Sequence, residues 1–459
     1  MKKSILLGTA ALAAVAIAAP QAVQAAETKI GGYYMFNMVN TQNAPAATAN
    51  MENANYMVHR LQLNMDFKAS DKSHAHMVVR PVDSGVLSGA DSQRNVGTAA
   101  TDANWQVRQL WLETEAWGVG VKVGDMPVAL NDGILADNDT TGFGTILLSK
   151  NIGGHTIIGA LNKVVEGATT AGTLADSKDL DLWILSALGK LGKVNYQLTA
   201  ALINEQNGLV AAGAQPGLGL AGNGLGNKLN SGTLNDYWLA LTLGGNAGPV
   251  ELTGTAILET GMSNVVKGTQ LESSGTLFAL RAKGKTGFGG WNGYAFRASK
   301  NFTSPNPGGN QPHWSATWDT GGPGAQDLME AALTGAPTDG SFTATGFAAN
   351  TRIATDSSNM YGFGLGVNVK AGAWTINPSL DFAGLTNDTV LSSNGLSTVR
   401  SNYDHAWGGT LVLSTKLQEA TTLALQGTFV DPHLTAGGVA AGVTDETMHY
   451  LSANIKMAF

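Results

Sequence analysis

The chain of 459 residues contains no cysteine, which excludes disulfide bonds, thiol nucleophiles and cysteine-based metal sites. Charged residues are also scarce, at 13% of the chain, against about 25% in an ordinary soluble domain. Their balance is acidic, with a formal net charge of −7, which argues against nucleic-acid binding. Something other than charge must therefore cover the surface of the folded protein.

Long apolar runs are missing as well. Beyond the N-terminus, no segment approaches the roughly 18 to 20 consecutive apolar residues that a transmembrane helix requires. The sequence therefore excludes a helical membrane protein. It does not exclude a membrane β-barrel, whose strands need only about 9 to 11 residues and carry polar side chains at alternate positions.

The N-terminus has the pattern of a secretory signal peptide. The basic start MKK is followed by the apolar run SILLGTAALAAVAIAAP and by the small-residue segment QAVQAA. Val23 and Ala25 occupy the −3 and −1 positions of a cleavage site after Ala25. An uncleaved membrane anchor is the alternative, but the run is short for a spanning helix. We predict that residues 1–25 are removed on export and that residues 26–459 form one domain.

Period-two alternation recurs along the rest of the chain. In YGFGLGVNVK, Tyr361, Phe363 and Leu365 share one face of an extended strand, and glycines occupy the other. The last ten residues, YLSANIKMAF, alternate in the same way as far as Phe459. The pattern predicts eighteen strands, at about 29–40, 55–69, 73–83, 104–116, 118–125, 143–150, 154–163, 178–188, 193–204, 233–244, 249–262, 272–284, 288–300, 357–369, 373–384, 403–416, 419–431 and 447–459.

The gaps between these strands alternate between tight turns, such as SDK, GKLG, GNAG, KTG and KAG, and much longer segments. Transmembrane barrels show this asymmetry, because their periplasmic turns are short and their extracellular loops long. We therefore predict an all-β fold, a transmembrane antiparallel β-barrel with eighteen strands, or sixteen as the alternative. A secreted β-sandwich or solenoid would share the alternation, but it would explain neither the low charge nor the alternating gaps.

Catalytic motifs are absent. The sequence has no GxSxG, HExxH or GxxxxGK[ST]. Gly217, Gly219 and Gly222 formally spell GxGxxG, but they lie in a glycine-rich loop without strand–helix context, so the match is a chance one. We predict that the protein is not an enzyme.

Two short segments carry metal-binding residue types. His74 and His76 lie two apart on one strand face, and Asp137, Asn138 and Asp139 could offer oxygens to Ca²⁺. The acidic segment does not meet the EF-hand loop pattern, and the histidines are interpreted as polar residues of a barrel lumen. We expect no cofactor, with Ca²⁺ as the alternative.

Charged side chains fall mainly on the polar faces of the predicted strands. On the lipid face each would cost about 2 to 4 kcal/mol near the bilayer midplane. They are therefore predicted to line a wet interior. The basic residues so placed are Arg60, Arg80, Arg281, Lys283 and Arg297, and the acidic ones are Asp66, Glu251, Glu259, Asp381 and Asp404.

The stretch VRQLWLETEAWGVGVKVGDMPVALNDGILADNDTTGFG resembles the central region of Gram-negative outer-membrane porins. The order of MPVAL, an acidic segment and D-x-D-x-x-G is similar to the homotrimeric porins of sulfate-reducing and related proteobacteria. Sequence-specific similarity is confined to about 105–145, and the predicted strand number departs from the sixteen of general porins.

The resemblance implies that residues 126–142 fold into the barrel as a constriction loop carrying Asp132, Asp137 and Asp139. Arg60, Arg80 and Arg108 would form the facing basic wall of the pore. The position of Arg108 is uncertain, because the alternation is blurred in WQVRQLWLE.

Further expectations follow from the same resemblance. The terminal Phe459 resembles the signal by which outer-membrane barrels are recognised for assembly. The protein would be a homotrimeric diffusion porin, in contact with outer-membrane lipid and lipopolysaccharide, passing ions and small hydrophilic solutes. A substrate-selective channel for sugars, carboxylates or phosphate is the alternative. An outer-membrane enzyme or adhesin is a more distant one, for which the long extracellular loop predicted at 301–356 would be the place.

Overall fold

The computed structural model describes the larger part of the chain. The described residues are 27–45, 51–86, 106–165, 180–205, 234–266, 269–287, 289–299, 302, 360–386, 389–391, 398–400, 403–434 and 446–459. The segment 1–25 lies outside these residues, so the signal peptide stays a prediction. Of the predicted loop 301–356, only Phe302 is described.

Twenty β-strands make up the regular structure of the described residues. Eighteen form one antiparallel sheet, and β16 and β17 form a separate two-stranded hairpin. Within the described ranges, no helix has the length and apolar character needed to cross a membrane. The strands are β1 Glu27–Pro45, β2 Met51–Ser70, β3 Ser73–Val86, β4 Gln106–Ala116, β5 Val119–Leu130, β6 Ala136–Ile152, β7 His155–Val165, β8 Leu180–Leu191, β9 Val194–Glu205, β10 Leu234–Ala247, β11 Val250–Val266, β12 Thr269–Thr286, β13 Gly289–Ala298, β14 Met360–Ala371, β15 Trp374–Leu385, β16 Thr389–Leu391, β17 Thr398–Arg400, β18 Tyr403–Gln418, β19 Thr421–Leu434 and β20 Met448–Ala458.

The sheet closes on itself. Strand β1 pairs with β2 on one side and with β20 on the other, so that Tyr34 lies opposite Met457. Two backbone hydrogen bonds extend this seam to the last residue: Gly32 N–H donates to Phe459 O at 3.0 Å, and Phe459 N–H donates to Gly32 O at 3.1 Å. Each of the eighteen strands thus has two neighbours. The predicted eighteen-stranded barrel is confirmed, and each predicted strand overlaps one strand of the barrel.

The two ends of the barrel differ in their connections. At one end, here called the tight-turn end, eight connections of two residues join successive strands, and the first and last described residues, Glu27 and Phe459, lie there. Several of these turns use a left-handed backbone, as at Trp117 with φ 53° and Gly118 with φ 69°. The opposite end, the long-connection end, carries segments such as 87–105 and 206–233, which lie outside the described residues. The predicted contrast between short and long gaps is therefore confirmed, with one correction: β11 and β12 are joined at the long-connection end by only two residues, 267 and 268, because both strands extend beyond their predicted ends.

The outer face of the barrel is apolar. On β14, Tyr361, Phe363 and Leu365 are 39%, 49% and 55% exposed, whereas the intervening glycines face inward and are buried. The same alternation runs round the sheet, because successive side chains of a strand point to opposite faces. Large apolar residues exposed in this way include Leu110, Leu112, Ile146, Leu148, Trp183, Leu185, Tyr237, Leu239, Leu258, Phe278, Leu280, Leu380, Trp407, Leu411, Phe429, Leu451, Ile455 and Met457.

One prediction about this alternation is wrong. Arg297 was expected in the lumen, but it is exposed and lies opposite Phe278 of β12 and Tyr361 of β14, both on the outer face. The inward positions of β13 are taken by Tyr294 and Phe296, which are buried. Two aromatic residues would ordinarily face lipid, and the alternation in sequence could not reveal the reversal.

The neighbouring strand supplies the physical reason for this reversal. Gly362 and Gly364 of β14 leave room on the inner face, and the rings of Phe296 and Tyr294 lie against them. The Tyr294 hydroxyl reaches across β14 and donates to the buried Asp381 Oδ1 on β15 at 3.0 Å. The aromatic rings thus pack on a glycine surface, and the phenol partners a carboxylate that would be costly to bury alone.

Replacing Gly364 by alanine should destabilise the barrel by about 1 to 3 kcal/mol, the usual cost of overpacking. A Cβ at this position would collide with the Tyr294 ring and the Asp381 carboxylate. Urea unfolding in lipid vesicles, followed by tryptophan fluorescence, measures the change. Gly159→Ala on β7 is the matched control, because a Cβ there meets nothing within 4 Å; an equal effect of both substitutions would contradict the packing.

Deleting Phe459 removes both backbone bonds to Gly32, and Phe459→Ala removes only the ring. If the terminal aromatic residue is an assembly signal, both changes should lower the amount of folded, heat-modifiable barrel in the membrane fraction several-fold, with the conductance of each surviving channel unchanged. Phe459→Tyr should assemble normally. Normal assembly of Phe459→Ala would contradict the assembly signal and would leave the backbone hydrogen bonds as the contribution of this residue.

Candidate functional site in the barrel lumen

A turn between two neighbouring strands folds into the interior. Residues 126–142 were predicted as a loop, but most of them extend β5 and β6, and only 131–135 form a turn. Asn131, at the tip of the turn, makes its hydrogen bonds to strands other than β5 and β6. Its backbone N–H donates to Gln197 Oε1 at 3.1 Å, and its Nδ2 donates to Gln197 O at 3.2 Å and to Thr242 Oγ1 at 3.2 Å.

Those partners belong to distant strands. Gln197 is on β9 and Thr242 on β10, so the path along the wall from β6 would be about 14 to 19 Å at a strand spacing of about 4.8 Å. A five-residue turn reaches them directly only by crossing the lumen. The hairpin tip is therefore an internal structure of the barrel, here called the inward turn.

An ion pair fixes the next residue of the inward turn. Arg281 Nη1 on β12 donates to Asp132 Oδ2 at 2.8 Å and to the Asp132 carbonyl oxygen at 3.3 Å. Two contacts from one guanidinium nitrogen position both the side chain and the backbone of Asp132. The Asp132 side chain is 40% exposed and that of Arg281 is 29% exposed. Solvent therefore reaches the ion pair and weakens it by screening.

The sequence explains why the chain turns here. Asn131, Asp132 and Gly133 have left-handed φ values of 53°, 62° and 76°, and these three residue types tolerate that conformation best. The turn is completed by Ile134 N–H donating to Asn131 O and Leu135 N–H donating to Leu130 O, each at 3.2 Å. The Asn-Asp-Gly run is a recognisable turn signal, and it places the turn at 131–133 within the segment predicted as one loop.

Apolar residues hold the inward turn as well. Ile134 and Leu135 are 1% and 0% exposed, and they belong to one buried cluster with inward side chains of β8 to β12. Members of this cluster on the wall include Leu182, Ile184, Ala201, Ile203, Trp238, Ala240, Ile257, Leu277 and Ala279. The inner face of these strands therefore combines buried apolar side chains, which pack in one cluster with the turn, with buried polar ones such as Thr199, Thr242 and Thr255.

The predicted basic wall is distributed over several strands. Arg60 lies opposite the buried Met35 of β1, on the lumen side. Arg80 is buried, and its Nε donates to Gln62 Oε1 at 2.9 Å. Arg108 sits at a β-bulge between the pairs Val78–Gln109 and Val79–Val107. The bulge is the physical cause of the blurred alternation in the sequence.

The structure joins Asp132 to Arg281 rather than to an arginine of β2 to β4. Asp137 is part of β6, where its backbone lies opposite Ala129, and Asp139 follows in the same strand. The side chains of Asp137 and Asp139 lie outside the described residues. Their contribution to a constriction, and to a Ca²⁺ site, stays a prediction.

Towards the tight-turn end, charges on the inner wall are paired. His76 Nδ1 lies 2.6 Å from Asp66 Oδ1, and its ring lies 5.3 Å from that of Trp111. Lys122 Nζ is 5.0 Å from the Trp111 ring and 3.0 Å from Glu113 Oε2. Leu112, not Trp111, is exposed on the outer face. The histidine predicted to line the lumen thus contacts an aspartate and an aromatic ring.

A second correction concerns Asp404, which was predicted to face inward. It lies at a bulge in β18, between the pairs Tyr403–Leu434 and His405–His433. Its carboxylate bonds to His405 and His433. His405 shares the face of Trp407, which is exposed on the outer side, so the Asp404 side chain belongs to the outer rim of the barrel.

No protein-family model matches the chain, and no curated protein matches it. Solved structures do. A BenF-like porin from Pseudomonas fluorescens Pf-5 superposes with a TM-score of 0.54 at 9% identity, over 95% of this chain and 99% of the porin. The chain has the porin fold.

Two further structures agree. Pseudomonas aeruginosa OccK11 (OpdR) gives a TM-score of 0.53 at 8% identity, over 95% of this chain and 96% of its own. Pseudomonas aeruginosa OccK2 (OpdF), in complex with glucuronate, gives 0.51 at 9% identity, over 94% and 98%. The similarity extends over the whole barrel, and at these identities it establishes the fold.

Replacing Asn131 by glycine should loosen the inward turn. Glycine keeps the left-handed backbone without strain, so the change isolates the loss of the two hydrogen bonds from Nδ2. If the turn lies in a conducting lumen, we expect larger open-channel current fluctuations in planar bilayers at unchanged barrel stability. Asn246→Gly, at an exposed position near the tight-turn end, is the control; equal noise in both variants would remove the turn from the conduction path.

Proposed function

We propose that the protein is an outer-membrane porin through which small hydrophilic solutes and ions diffuse passively. The observation that carries this proposal is a closed eighteen-stranded barrel with an apolar outer face and an internal turn held across its lumen by Asn131 and Asp132. No chemical step is required for such a function.

The outer face supports a lipid environment. A soluble monomer rarely exposes contiguous apolar patches larger than a few hundred Å², whereas exposed apolar residues surround this barrel. In hydrocarbon every backbone polar group must be paired within the protein, and the β1–β20 seam meets that condition. Outer-membrane lipid and lipopolysaccharide are the proposed surroundings, reached by export with the predicted signal peptide 1–25.

Selectivity would come from pore width and from the charges beside the inward turn. Asp132 is neutralised by Arg281, while Arg60 and Arg80 lie on the lumen side of β2 and β3. Rings or clusters of charge set the ion preference of wide pores. The arginines near Gln62 favour solutes that carry an anionic group.

A substrate-selective channel is therefore the second candidate. The OccK2 structure, of the same fold, holds glucuronate, a sugar that carries a carboxylate. Arginine binds carboxylates through paired N–H donors, and Arg80 already directs its Nε at Gln62. Competition of glucuronate with chloride current would favour this candidate over a general diffusion pore.

The sequence resemblance to homotrimeric porins of sulfate-reducing and related proteobacteria supports a homotrimer. The mass of the purified protein in detergent, measured by light scattering, tests it, and a monomeric mass would end that proposal. An enzymatic role receives no support from the lumen contacts of the described residues.

Single-channel recording in planar bilayers with a salt gradient tests the pore directly. Arg281→Gln leaves Asp132 unneutralised and should shift the reversal potential towards cation preference. Asp132→Asn should shift it towards anions, and the double variant should return close to the wild type. Lys150→Gln is the control, because Lys150 is exposed near a tight turn and shares the outer face of β6 with Ile146 and Leu148.

Two outcomes would decide against the proposal. Absence of conductance in every salt would exclude an open pore. Identical reversal potentials in the wild type, the two single variants and the double variant would place the Asp132–Arg281 pair away from the path of the ions. Asp137→Asn with Asp139→Asn should lower cation preference if these residues also line the constriction.

A further inference from the structure

Three metal-ligating side chains meet at the long-connection end of the barrel, away from the lumen. They are Asp404 and His405 at the start of β18 and His433 near the end of β19. Among the described residues, this is the one group of three such side chains whose ligand atoms all lie within 4.8 Å of one another. We refer to it as the rim triad.

The contacts within the rim triad are short and converge on one oxygen. Asp404 Oδ1 lies 2.7 Å from His405 Nδ1 and 2.9 Å from His433 Nδ1. The two imidazole rings stack with centroids 4.4 Å apart and an angle of 18° between their planes. Two ring nitrogens thus lie beside one carboxylate oxygen, and the three ligand atoms are within 4.8 Å of one another.

The backbone explains why the three residues meet. His405 and His433 are directly paired across β18 and β19, so their side chains leave the same face of the sheet. The bulge at Asp404 adds one residue to β18. Without that extra residue, Asp404 would point to the opposite face from His405. The bulge thus brings a carboxylate to a cross-strand histidine pair.

We propose that the rim triad binds a divalent transition-metal ion of the Zn²⁺ class. Zn²⁺ takes imidazole nitrogen at about 2.0 to 2.1 Å and carboxylate oxygen at about 2.0 to 2.2 Å. In a tetrahedral site this places ligand atoms about 3.3 Å apart, close to the present spacings of 2.7 and 2.9 Å. Each ring would bind the ion through Nδ1 and carry its proton on Nε2, and a small rotation of both rings away from Asp404 opens the position of the ion.

The donor set selects the class of metal. Imidazole favours Zn²⁺, Ni²⁺ and Cu²⁺, whereas Mg²⁺ and Ca²⁺ prefer sites built from oxygen alone. Three protein ligands leave a fourth position for water. The side chains are 45%, 32% and 63% exposed for Asp404, His405 and His433, so a hydrated ion in solution has access.

The surroundings locate the site at the edge of the apolar outer face. The His405 ring lies 5.8 Å from that of Phe382, which in turn lies 4.6 Å from Trp407. A bound ion would join β18 to β19 just beyond this aromatic group. The proposal is independent of conduction, because it concerns the outer rim and not the pore.

Zn²⁺ titration by calorimetry on untagged, chelator-treated protein in detergent tests the site. We expect one ion per chain. His405→Ala, His433→Ala and Asp404→Asn should each lower the affinity at least about tenfold, because losing even a hydrogen-bond partner of a metal ligand typically costs that much. Cu²⁺ in place of Zn²⁺ should give an electron paramagnetic resonance spectrum with coupling to two imidazole nitrogens.

His449→Ala is the matched control, because His449 is an exposed histidine near the start of β20 at the same end of the barrel. It should bind Zn²⁺ like the wild type. No binding by the wild type, an equal loss in His449→Ala, or retained affinity in any of the three triad variants would overturn the proposal. Heat-modifiable migration of each variant verifies that it is folded.

Discussion

Everything in this molecule depends on the backbone hydrogen bonds that join β1 to β20. A sheet edge left open would present unpaired N–H and C=O groups, and in hydrocarbon water cannot satisfy them. The register from Tyr33–Ala458 to Gln42–His449, extended by the Gly32–Phe459 bonds, removes that edge. Once the sheet is closed, the outer face can be apolar and the interior can hold polar and charged residues without a separate core.

Closure also decides what the interior can contain. The inward-facing glycines of β14 create space that Tyr294 and Phe296 fill, and their packing displaces Arg297 to the outer face. On β8 to β12, inward apolar side chains belong to the same buried cluster as Ile134 and Leu135 of the inward turn. The lumen wall thus has aromatic, aliphatic and charged regions. The aromatic rings pack on glycines, and the aliphatic side chains pack with the inward turn.

The sequence was sufficient for the fold because the fold follows from local alternation. Eighteen strands, the facing of most of their side chains and the contrast between short and long connections were predictable from period two and from turn residues. Contacts between distant strands were not. Neither the Asp132–Arg281 pair nor the apolar anchor of Ile134 leaves a trace in local pattern, since both depend on how far the hairpin reaches across the barrel.

Bulges account for other differences between sequence and structure. One extra residue reverses the facing of a strand, and the bulges at Arg108 and Asp404 interrupt the alternation by which these residues were placed. Arg297 was misplaced for a different reason. Both faces of β13 carry residues that could face either lipid or the lumen, so the sequence did not determine which face is inward. The Asn-Asp-Gly turn was predictable from the sequence, because three consecutive residues that tolerate a left-handed backbone indicate a turn.

The inward turn is fastened by two kinds of contact that respond differently to ionic strength. Mobile ions screen the exposed Asp132–Arg281 pair, with a Debye length of about 3 Å in 1 M salt. They do not weaken the burial of Ile134 and Leu135, and kosmotropic salts strengthen it. The buried contacts therefore hold the turn in place at high salt concentration. Salt can thus weaken the electrostatic effect of the lumen charges while the shape of the lumen stays the same.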